Sequence, residues 1–296
     1  MIKKFLSNFY NSFDSRKWNI GFIEISKHDL IKSSKFNIRI LKHNYKNKWF
    51  ADPFILQNSN KQIVLLVEEY DYSINKGVIA KLVIRKVDYK LISRSIVYSD
   101  EYHLSFPAIF KNNNKLFVYP ENSKSGALYI YSLDKNLDSL THKKRIINKD
   151  LLDPVILKLE NKFFLFGTKS SCKLQNTVLI FKSNYFDKNY KFYDEIRLKD
   201  SSARSAGNFF KINNRIIRPA QDCNESYGKG IVFQEVKFDN DKFSIVELKR
   251  IYSNSSRYSL GMHTINFSEG LAVVDILGYK NMFLGKSFNI LKSIFK

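Results

Sequence analysis

Acidic side chains stand at the starts and ends of short apolar stretches in this 296-residue chain. Asp52 and Asp153 each directly precede a proline, in "ADPFIL" and "LDPVIL", while Glu121 and Asp222 each follow an apolar stretch. Carboxylates that converge in pairs can act as general acid, general base or nucleophile in chemistry at a sugar carbon. We therefore take these four residues as the candidate catalytic groups.

A second set of polar side chains occupies corresponding positions in the other apolar stretches. Arginine and protonated histidine can hold the phosphate of an activated substrate through charge-assisted hydrogen bonds. The candidate substrate-binding residues are Glu69, Arg204, Arg218, Gln221, His263 and Asp275. The chain carries no Gly-rich phosphate loop, and we predict neither a cofactor nor a metal ion.

Each of these residues also has a purely structural explanation. An aspartate before a proline commonly caps a turn. Arg218 could pair with Asp222 inside the protein, and His263 could be a hydrogen-bonded core histidine. Glu69, or its neighbour Glu68, could pair with a lysine. The choice depends on whether the fold brings these side chains together.

The candidate residues belong to a sequence repeat that recurs about every 50 residues, a period typical of repeat architectures. Its copies are "ADPFILQNSNKQIVLLVEE", "SFPAIFKNNNKLFVYPEN", "LDPVILKLENKFFLFGTK", "SAGNFFKINNRIIRPAQD" and "GMHTINFSEGLAVVDIL". Each copy has a small or acidic start, an apolar strand, a turn rich in Asn, Lys or Gly, and a second apolar strand with a polar end. This pattern predicts five β-hairpins.

Further strand-like stretches lie between the hairpins, for example "GVIAKLVIRKV" and "GIVFQEVKF". Four antiparallel strands in each unit predict an all-β fold, a five-bladed β-propeller, with a β-sandwich as the alternative. The fifth unit has room for three strands, at 263–267, 271–277 and "NMFLGK". We expect an N-terminal strand, either 17–25 or 36–43, to close the ring and remove its exposed edges.

An antiparallel hairpin brings the start of its first strand and the end of its second strand to the same edge. The innermost strands of a propeller surround its central channel, so the polar ends of all five hairpins should meet in one funnel. The strand starts contribute Asp52, Ser105, Asp153, Arg204, Ser205 and His263. The strand ends contribute Glu68, Glu69, Glu121, Thr168, Gln221, Asp222 and Asp275.

The composition is strongly basic, with 49 Lys and Arg against 28 Asp and Glu and a net charge of +21. Such a surface attracts anions, but scattered lysines form a solvated surface more often than a binding patch. We predict no nucleic-acid partner, because no basic run is interleaved with stacking aromatics. Two cysteines, Cys172 and Cys223, are most simply explained by a reducing compartment.

Three parts are predicted along the chain: an amphipathic N-terminal segment at 1–16, the propeller at 17–285 and a basic C-terminal tail at 286–296. Both ends combine lysines with apolar residues, and neither has the apolar length that spans a bilayer. These ends could lie on an anionic membrane surface or dock on the protein's own body. The expected location is the cytoplasm, with peripheral attachment to the inner face of the membrane as an option.

Eight short motifs, in order along the chain, resemble the N-terminal domain of the glucosamine inositolphosphorylceramide transferase family. They are "WFADPFIL", "VEEYDY", "YHLSFPAIF", "YPENS", "LLDPVI", "SARSAGNFF", "RPAQDC" and "GMHTIN". The resemblance runs from Trp18 to Asp275. In bacteria this domain also occurs alone, or beside formyltransferase-like modules, in surface-polysaccharide loci. The resemblance therefore implies sugar transfer in the assembly of a capsule or O-antigen.

The architecture more distantly resembles the five-bladed glycosidases of the arabinanase/xylosidase and invertase/levansucrase groups. Those enzymes place an Asp in the first blade, another acid on a middle blade and a Glu as acid/base. Asp52 matches the first-blade acid. Asp153 resembles the middle acid of the invertase group, although Leu152 stands where that group has arginine. Glu121 or Asp222 would be the third acid.

Together these observations predict a glycosyltransferase-type enzyme whose partners are an activated sugar donor and a glycan or lipid-linked acceptor. Asp52 would act as base or electrostatic stabiliser with assistance from Asp153. Arg218 and His263 would hold the anionic part of the ligand. The alternatives are a glycoside hydrolase acting on a pentose or fructose unit and a non-catalytic glycan-binding propeller.

Overall fold

The computed structural model describes residues 16–33 and 35–279, and these residues form an all-β, five-bladed propeller. Each blade is a four-stranded sheet in which all neighbouring strands run antiparallel. The prediction of a five-bladed β-propeller is confirmed. No helix in this described part of the chain is both long and apolar enough to cross a membrane.

The first three blades follow the order of the chain. Blade 1 contains β3 (Lys48–Asn58), β4 (Gln62–Asp71), β5 (Lys76–Arg85) and β6 (Lys90–Tyr98). Blade 2 contains β7 (Ser105–Asn112), β8 (Lys115–Glu121), β9 (Leu128–Leu133) and β10 (Leu140–Ile147). Blade 3 contains β11 (Leu151–Leu159), β12 (Lys162–Lys169), β13 (Thr177–Ser183) and β14 (Lys191–Arg197).

Blades 4 and 5 complete the ring. Blade 4 contains β15 (Phe210–Ile212), β16 (Arg215–Asp222), β17 (Gly230–Asp239) and β18 (Lys242–Tyr252). Blade 5 contains β19 (Ile265–Ser268), β20 (Leu271–Tyr279), β1 (Arg16–Ile23) and β2 (Arg39–Ile40), in that spatial order. One short helix, α1 (Lys27–Lys32), connects β1 to β2 and is capped by the Ser26 side chain, which accepts a hydrogen bond from the Asp29 amide.

The ring is closed by strands from both ends of the chain. β1 pairs antiparallel with β20 over eight residues, from Arg16 opposite Tyr279 to Ile23 opposite Ala272. Closure by an N-terminal strand is therefore confirmed, but the blade uses both N-terminal candidates, β1 and β2, rather than one. The stretch "NMFLGK", predicted as a third C-terminal strand, lies outside the described residues.

Of the predicted terminal segments, only Arg16 is described, and it is the first residue of β1. Residues 1–15 and the tail at 286–296 lie outside the described residues. The amphipathic character predicted for these ends therefore stays a prediction.

Apolar packing covers both faces of the inner strands. In β4, residues 63–67 are consecutive, apolar and buried. A strand with only one buried face alternates between apolar and polar residues, whereas a strand covered on both faces reads as a continuous apolar run. Adjacent blades thus share their cores, as where Phe54, Phe106 and Leu165 of blades 1, 2 and 3 lie in one cluster.

The first strand of blades 1, 2 and 3 carries the same kink next to the axis. Asp52, Phe106 and Asp153 each precede a proline and have positive φ angles of 50°, 43° and 43°. A register shift accompanies each kink. Aspartate tolerates this left-handed region better than most residues, so the backbone gives one reason for its presence. Phe106 shows that the kink does not require an acid.

Candidate functional site

The ends of the second strands bring one polar side chain from each blade towards the axis. Glu68, Glu121 and Thr168 pair with the residue immediately before the kink in their own blade. Gln221 and Asp275 are the counterparts from blades 4 and 5. All five are at most 8% exposed. Polar ends of all five hairpins therefore converge on the axis, as the sequence predicted, and these side chains are largely removed from solvent.

Asp52 is held between blades 5, 1 and 2. Its Oδ1 accepts a hydrogen bond from Thr264 Oγ1 at 2.6 Å, and its Oδ2 accepts one from the Phe106 amide at 3.0 Å. His263 Nε2 lies 3.7 Å from Oδ1. Burial raises the pKa of Asp52, and the Asp275 carboxylate adds to the rise, while the His263 charge opposes it.

Asp275 and His263 form an ion pair beside Asp52. His263 Nδ1 lies 2.6 Å from Asp275 Oδ2, and Asp275 Oδ1 accepts the amides of His263 and Thr264 at 2.8 and 2.9 Å. Although burial lowers the pKa of His263, the Asp275 carboxylate raises it to about 9. His263 is therefore a cation at neutral pH, and its ring stacks on Trp18 at a centroid distance of 4.1 Å.

Asp52, His263 and Asp275 also place potential metal-ligand atoms within 4.8 Å of one another. These atoms already have partners. Asp275 Oδ2 accepts the Asp52 amide at 3.0 Å as well as facing the histidine. A metal ion would have to displace both the histidine proton and an amide, so these donors fit the internal ion pair better than a metal centre.

Asp153 organises the opposite side of the funnel. Its Oδ2 accepts hydrogen bonds from Arg204 Nε at 2.6 Å and from Gln221 Nε2 at 2.7 Å. Its amide donates to Glu121 Oε2 at 2.9 Å, and the Arg204 guanidinium lies 3.8 Å from the same oxygen. Glu121 of blade 2, Asp153 of blade 3 and Arg204 from the start of blade 4 thus form a single cluster of two acids and one cation.

Two glutamates in the funnel have the character of proton donors. Burial raises the pKa of Glu68 and of Glu121 well above the ordinary value, with the neighbouring carboxylates of Asp52 and Asp153 adding to the shift. Glu68 Oε1 lies 3.2 Å from Nε2 of His103, whose side chain is 33% exposed. A protonated carboxyl group in such a place can donate a proton to a leaving group.

Aromatic rings form part of the rim. Tyr227 is 47% exposed, with the Arg204 guanidinium 5.0 Å from its ring centroid and the His263 ring edge-on at 5.3 Å. On the blade 1 side, Trp49 stacks on Tyr70 at 4.9 Å. Both cations of the funnel therefore lie against one exposed tyrosine, and His263 itself is as buried as the acids.

Some hydrogen-bonding capacity in this region is unused. Thr168 Oγ1 is buried without a hydrogen-bond partner among the described residues. Buried polar groups are normally satisfied by protein or water. The Thr168 hydroxyl can therefore form a hydrogen bond with a ligand or a water molecule.

The structure brings together seven of the ten predicted site residues: Asp52, Glu121, Asp153, Arg204, Gln221, His263 and Asp275. Their functional roles stay predictions. The other three, Glu69, Asp222 and Arg218, lie elsewhere.

The expectation that Glu69 and Asp222 line the funnel is corrected by their contacts. Glu69 Oε1 lies 2.9 Å from Lys48 Nζ, and the same carboxylate also pairs with Arg94. Asp222 Oδ2 accepts from Arg250 at 3.0 Å and from Tyr252 at 2.8 Å. Successive residues of a strand point to opposite faces, so the preceding residues of each strand reach the axis instead.

Arg218 is also placed differently from the prediction. Its guanidinium donates to Gln234 Oε1 at 2.6 Å, to Ser205 Oγ at 3.3 Å and to the Ala203 carbonyl, and it makes no ion pair with Asp222. Burial lowers the pKa of Arg218. A guanidinium enclosed in this way supports the start of blade 4 and is not available to a ligand.

Sequence reasoning did not assign a role to four side chains that the structure places at the site: Trp18, His103, Tyr227 and Thr264. Trp18 and Thr264 lie within predicted strands, but only the strand register shows which face each side chain occupies. His103 and Tyr227 lie in connections between strands, where no periodic signal exists.

Comparison with protein families gives a match over residues 38–264 to the family described as glucosamine inositolphosphorylceramide transferase 1, N-terminal. A protein of that name from Oryza sativa subsp. japonica is 25% identical over 202 residues, which are 65% of this chain and 27% of that protein. Its namesake from Arabidopsis thaliana is 28% identical over 149 residues, 48% of this chain and 20% of that protein. The chain thus spans about a quarter of the length of these relatives.

Solved structures share the fold. An exo-β-1,3-galactanase from Phanerochaete chrysosporium with β-1,3-galactotriose aligns with a TM-score of 0.57 at 12% identity, over 81% of this chain and 64% of that chain. A GH43 β-1,3-galactosidase with galactodeoxynojirimycin aligns with a TM-score of 0.54 at 10% identity, over 75% and 83%. At such identities the likeness establishes the propeller architecture and no chemistry.

Proposed function

The chain belongs to the family defined by the N-terminal region of glucosamine inositolphosphorylceramide transferase 1, and from this premise we propose that it is an enzyme of glycosyl transfer acting on an activated sugar. The name of the plant relatives supports transfer rather than hydrolysis. We extend the proposal to a glycan or lipid-linked acceptor in the assembly of a cell-surface polysaccharide such as a capsule or O-antigen. That extension rests on the resemblance of the motifs to a family domain that in bacteria occurs in surface-polysaccharide loci.

The observation that carries the proposal is the pair of cations that lie against Tyr227. Arg204 and protonated His263 both contact this ring, and each is held by a carboxylate, Asp153 and Asp275 respectively. Cations held in place can bind a donor phosphate without losing further side-chain freedom. They would stabilise the negative charge that develops as the phosphate leaves.

The acids beside the cations supply the proton transfers. In glycosyl transfer, a hydroxyl oxygen of the acceptor forms a bond to the anomeric carbon, the bond from that carbon to the donor phosphate breaks, and the hydroxyl proton goes to a base. Asp52 is the proposed base or electrostatic stabiliser, because it lies at the axis beside His263. Asp153 positions Arg204, and Glu121 holds the amide of Asp153.

Replacement of Asp52 by asparagine tests the proposal. Asp52→Asn keeps the size of the side chain and one acceptor oxygen but removes the basicity, so we expect turnover of an activated sugar to fall about 100-fold or more. The melting temperature should change little, because relief of repulsion between buried carboxylates offsets the lost hydrogen bond. The measurement is turnover of a panel of nucleotide- and lipid-phosphate-activated sugars, with differential scanning calorimetry alongside.

The matched control is Asp222→Asn, which makes the same change at a carboxylate outside the funnel. It should leave turnover within about twofold while lowering stability by about 3 kcal/mol, because it removes the buried carboxylate that pairs with Arg250. Near-normal turnover by Asp52→Asn, together with unfolding, would make Asp52 a turn cap and refute the proposed base.

A glycoside hydrolase is the second candidate, and the raised pKa of Glu121 favours it. A carboxyl group with a raised pKa can protonate the leaving oxygen in hydrolysis, whereas a phosphate leaves without protonation. Assays with aryl glycosides of pentose, fructose and galactose units decide between the two. If the protein releases the aryl group and Glu121→Gln abolishes that release, the function is hydrolysis rather than transfer.

A further inference from the structure

A groove of about 1190 Å³ lies on the flank of the propeller, where blade 5 meets blade 1. Its walls are formed by β1, β2 with the segment 41–46 that follows, β6, and the loop before blade 5. Six of its lining side chains are cationic, namely Lys17, Lys42, Lys46, Lys90, Arg94 and Arg257, and no acid is among the lining residues that the structure describes. The net charge of the chain is thus concentrated in a concave site as well as spread over the surface.

Much of this positive charge is not neutralised by neighbours. Within residues 16–33 and 35–279, Lys46, Lys90 and Arg257 make no ion pair with a carboxylate. Arg94 pairs with Glu69, whose side chain is 1% exposed and lies behind it. Burial lowers the pKa of His43 in the groove to about 4, and the charge of Lys17 contributes to the decrease. The histidine is therefore neutral, so the positive potential of the groove comes from its lysine and arginine side chains.

The groove and the funnel lie on opposite faces of the same strand. Lys17 and Asn19 of β1 line the groove, whereas Trp18 between them stacks on His263 of the funnel. Successive side chains of a strand alternate in this way. A single strand therefore separates the basic groove from the candidate active site.

We propose that this groove is a second anion site that binds a phosphate-bearing ligand, separate from the donor phosphate site at Arg204 and His263. Ammonium and guanidinium groups bind phosphate oxygens by charge-assisted hydrogen bonds. Convergent cations on a concave wall match a discrete phosphate or diphosphate group, whereas a flat bilayer surface matches cations on a plane or a convex face. Three tyrosines, Tyr45, Tyr258 and Tyr279, also line the groove.

Titration with inorganic pyrophosphate tests the site directly. The full chain is titrated by isothermal calorimetry at low and at physiological salt, beside a variant carrying Lys46→Gln and Lys90→Gln. Both lysines are exposed, so the variant should fold normally. We expect it to bind pyrophosphate about tenfold or more weakly, as loss of charge-assisted hydrogen bonds implies, and affinity for the unsubstituted chain should fall with salt.

A control variant carrying Lys115→Gln and Lys211→Gln makes the same change in net charge at exposed positions on blades 2 and 4, away from the groove. It should bind pyrophosphate like the unsubstituted chain. Equal weakening in both variants would show only a response to net charge and would overturn the proposal, as would absence of pyrophosphate binding by the unsubstituted chain.

Vesicles of phosphatidylglycerol and phosphatidylcholine separate a discrete site from a membrane surface. Loss of vesicle binding in the groove variant, with pyrophosphate binding unchanged, would assign the cations to a lipid surface and overturn the discrete site. Turnover in the Asp52 assay is read separately, because Lys46 and Lys90 do not contact the funnel. Failure of one proposal therefore leaves the other standing.

Discussion

Carboxylates at the axis join blades as well as form the candidate site. Asp275 of blade 5 accepts the amide of Asp52 in blade 1, Asp52 accepts the amide of Phe106 in blade 2, and Glu121 accepts the amide of Asp153 in blade 3. An amide that donates to a carboxylate favours the anion, but burial is the larger influence at Asp52 and Glu121 and raises the pKa of both. The same residues therefore have a structural role that limits which substitutions the funnel tolerates.

Two adjacent glutamates of β4 should respond in opposite ways to loss of charge. Glu69→Gln leaves the buried Lys48 ammonium with only Asp71 and takes the carboxylate from Arg94, so we expect a loss of about 3 kcal/mol in the free energy of unfolding. Glu68→Gln removes a group that is buried close to Asp52 and has no such cation, so it should raise the melting temperature at neutral pH.

Glu68 should make the folded protein less stable as the pH rises. Its pKa in the fold is raised well above 4.5, the value expected of the unfolded chain, so between these pKa values the folded state holds more protons. The contribution of Glu68 to stability is then fully present below pH 4.5 and is lost as pH rises through the folded pKa. Thermal melts from pH 4 to pH 8 should show a smaller decrease in Glu68→Gln than in the unsubstituted chain. An identical decrease in both would refute a raised pKa at Glu68.

At the scale of strands, the hairpins were predictable and their register was not. Apolar runs and Asn-rich turns identify β3–β4 and its counterparts directly. Residues 63–67 of β4 are buried on both faces, however, so the sequence shows no alternation that would tell Glu68 from Glu69. The same holds for Gln221 and Asp222 at the end of β16, where six consecutive residues are buried. A shift of one residue in the register decides whether a side chain faces the axis or points away from it.

The start of blade 4 depends on a glycine where blades 1, 2 and 3 have proline. Gly207 has φ of 143°, and a Cβ there would lie 2.0 Å from the Ile265 carbonyl oxygen of blade 5. Ile265 also donates its amide to the Ala206 carbonyl at 2.6 Å. The glycine therefore allows blades 4 and 5 to approach at their innermost strands.

Gly207→Ala should be far more damaging than an alanine at another glycine with positive φ. Gly270, in the turn between β19 and β20, has φ of 64° and open space where a Cβ would stand. Gly270→Ala should cost about 1 kcal/mol from backbone strain alone, whereas Gly207→Ala should cost about 4 kcal/mol, because backbone atoms must move. Urea unfolding monitored by tryptophan fluorescence compares the two. Equal losses would show that the blades adjust to fill the contact.

For the whole molecule, closure of the ring was predictable because the fifth repeat lacked strands. The use of both β1 and β2 was not, because each matches the strand pattern on its own and only the packed blade has room for two. β1 contributes Ile20 and Phe22, both fully buried in the core shared with blade 1. The N-terminal strands are therefore part of the core rather than an attachment to it.

Removal of the closing strands should abolish the cooperative fold. Deletion of residues 1–41 removes β1 and β2, exposes the whole length of β20 as a sheet edge and empties the core around Ile20 and Phe22. We expect this variant to lose its cooperative melting transition and to aggregate, because an unpaired apolar edge strand templates association between chains. Deletion of residues 1–13, which leaves both strands intact, is the matched control and should retain the transition. Calorimetry and light scattering measure the two outcomes. If the 42–296 chain unfolds cooperatively and stays monomeric, four blades and half of a fifth are enough to stabilise the propeller.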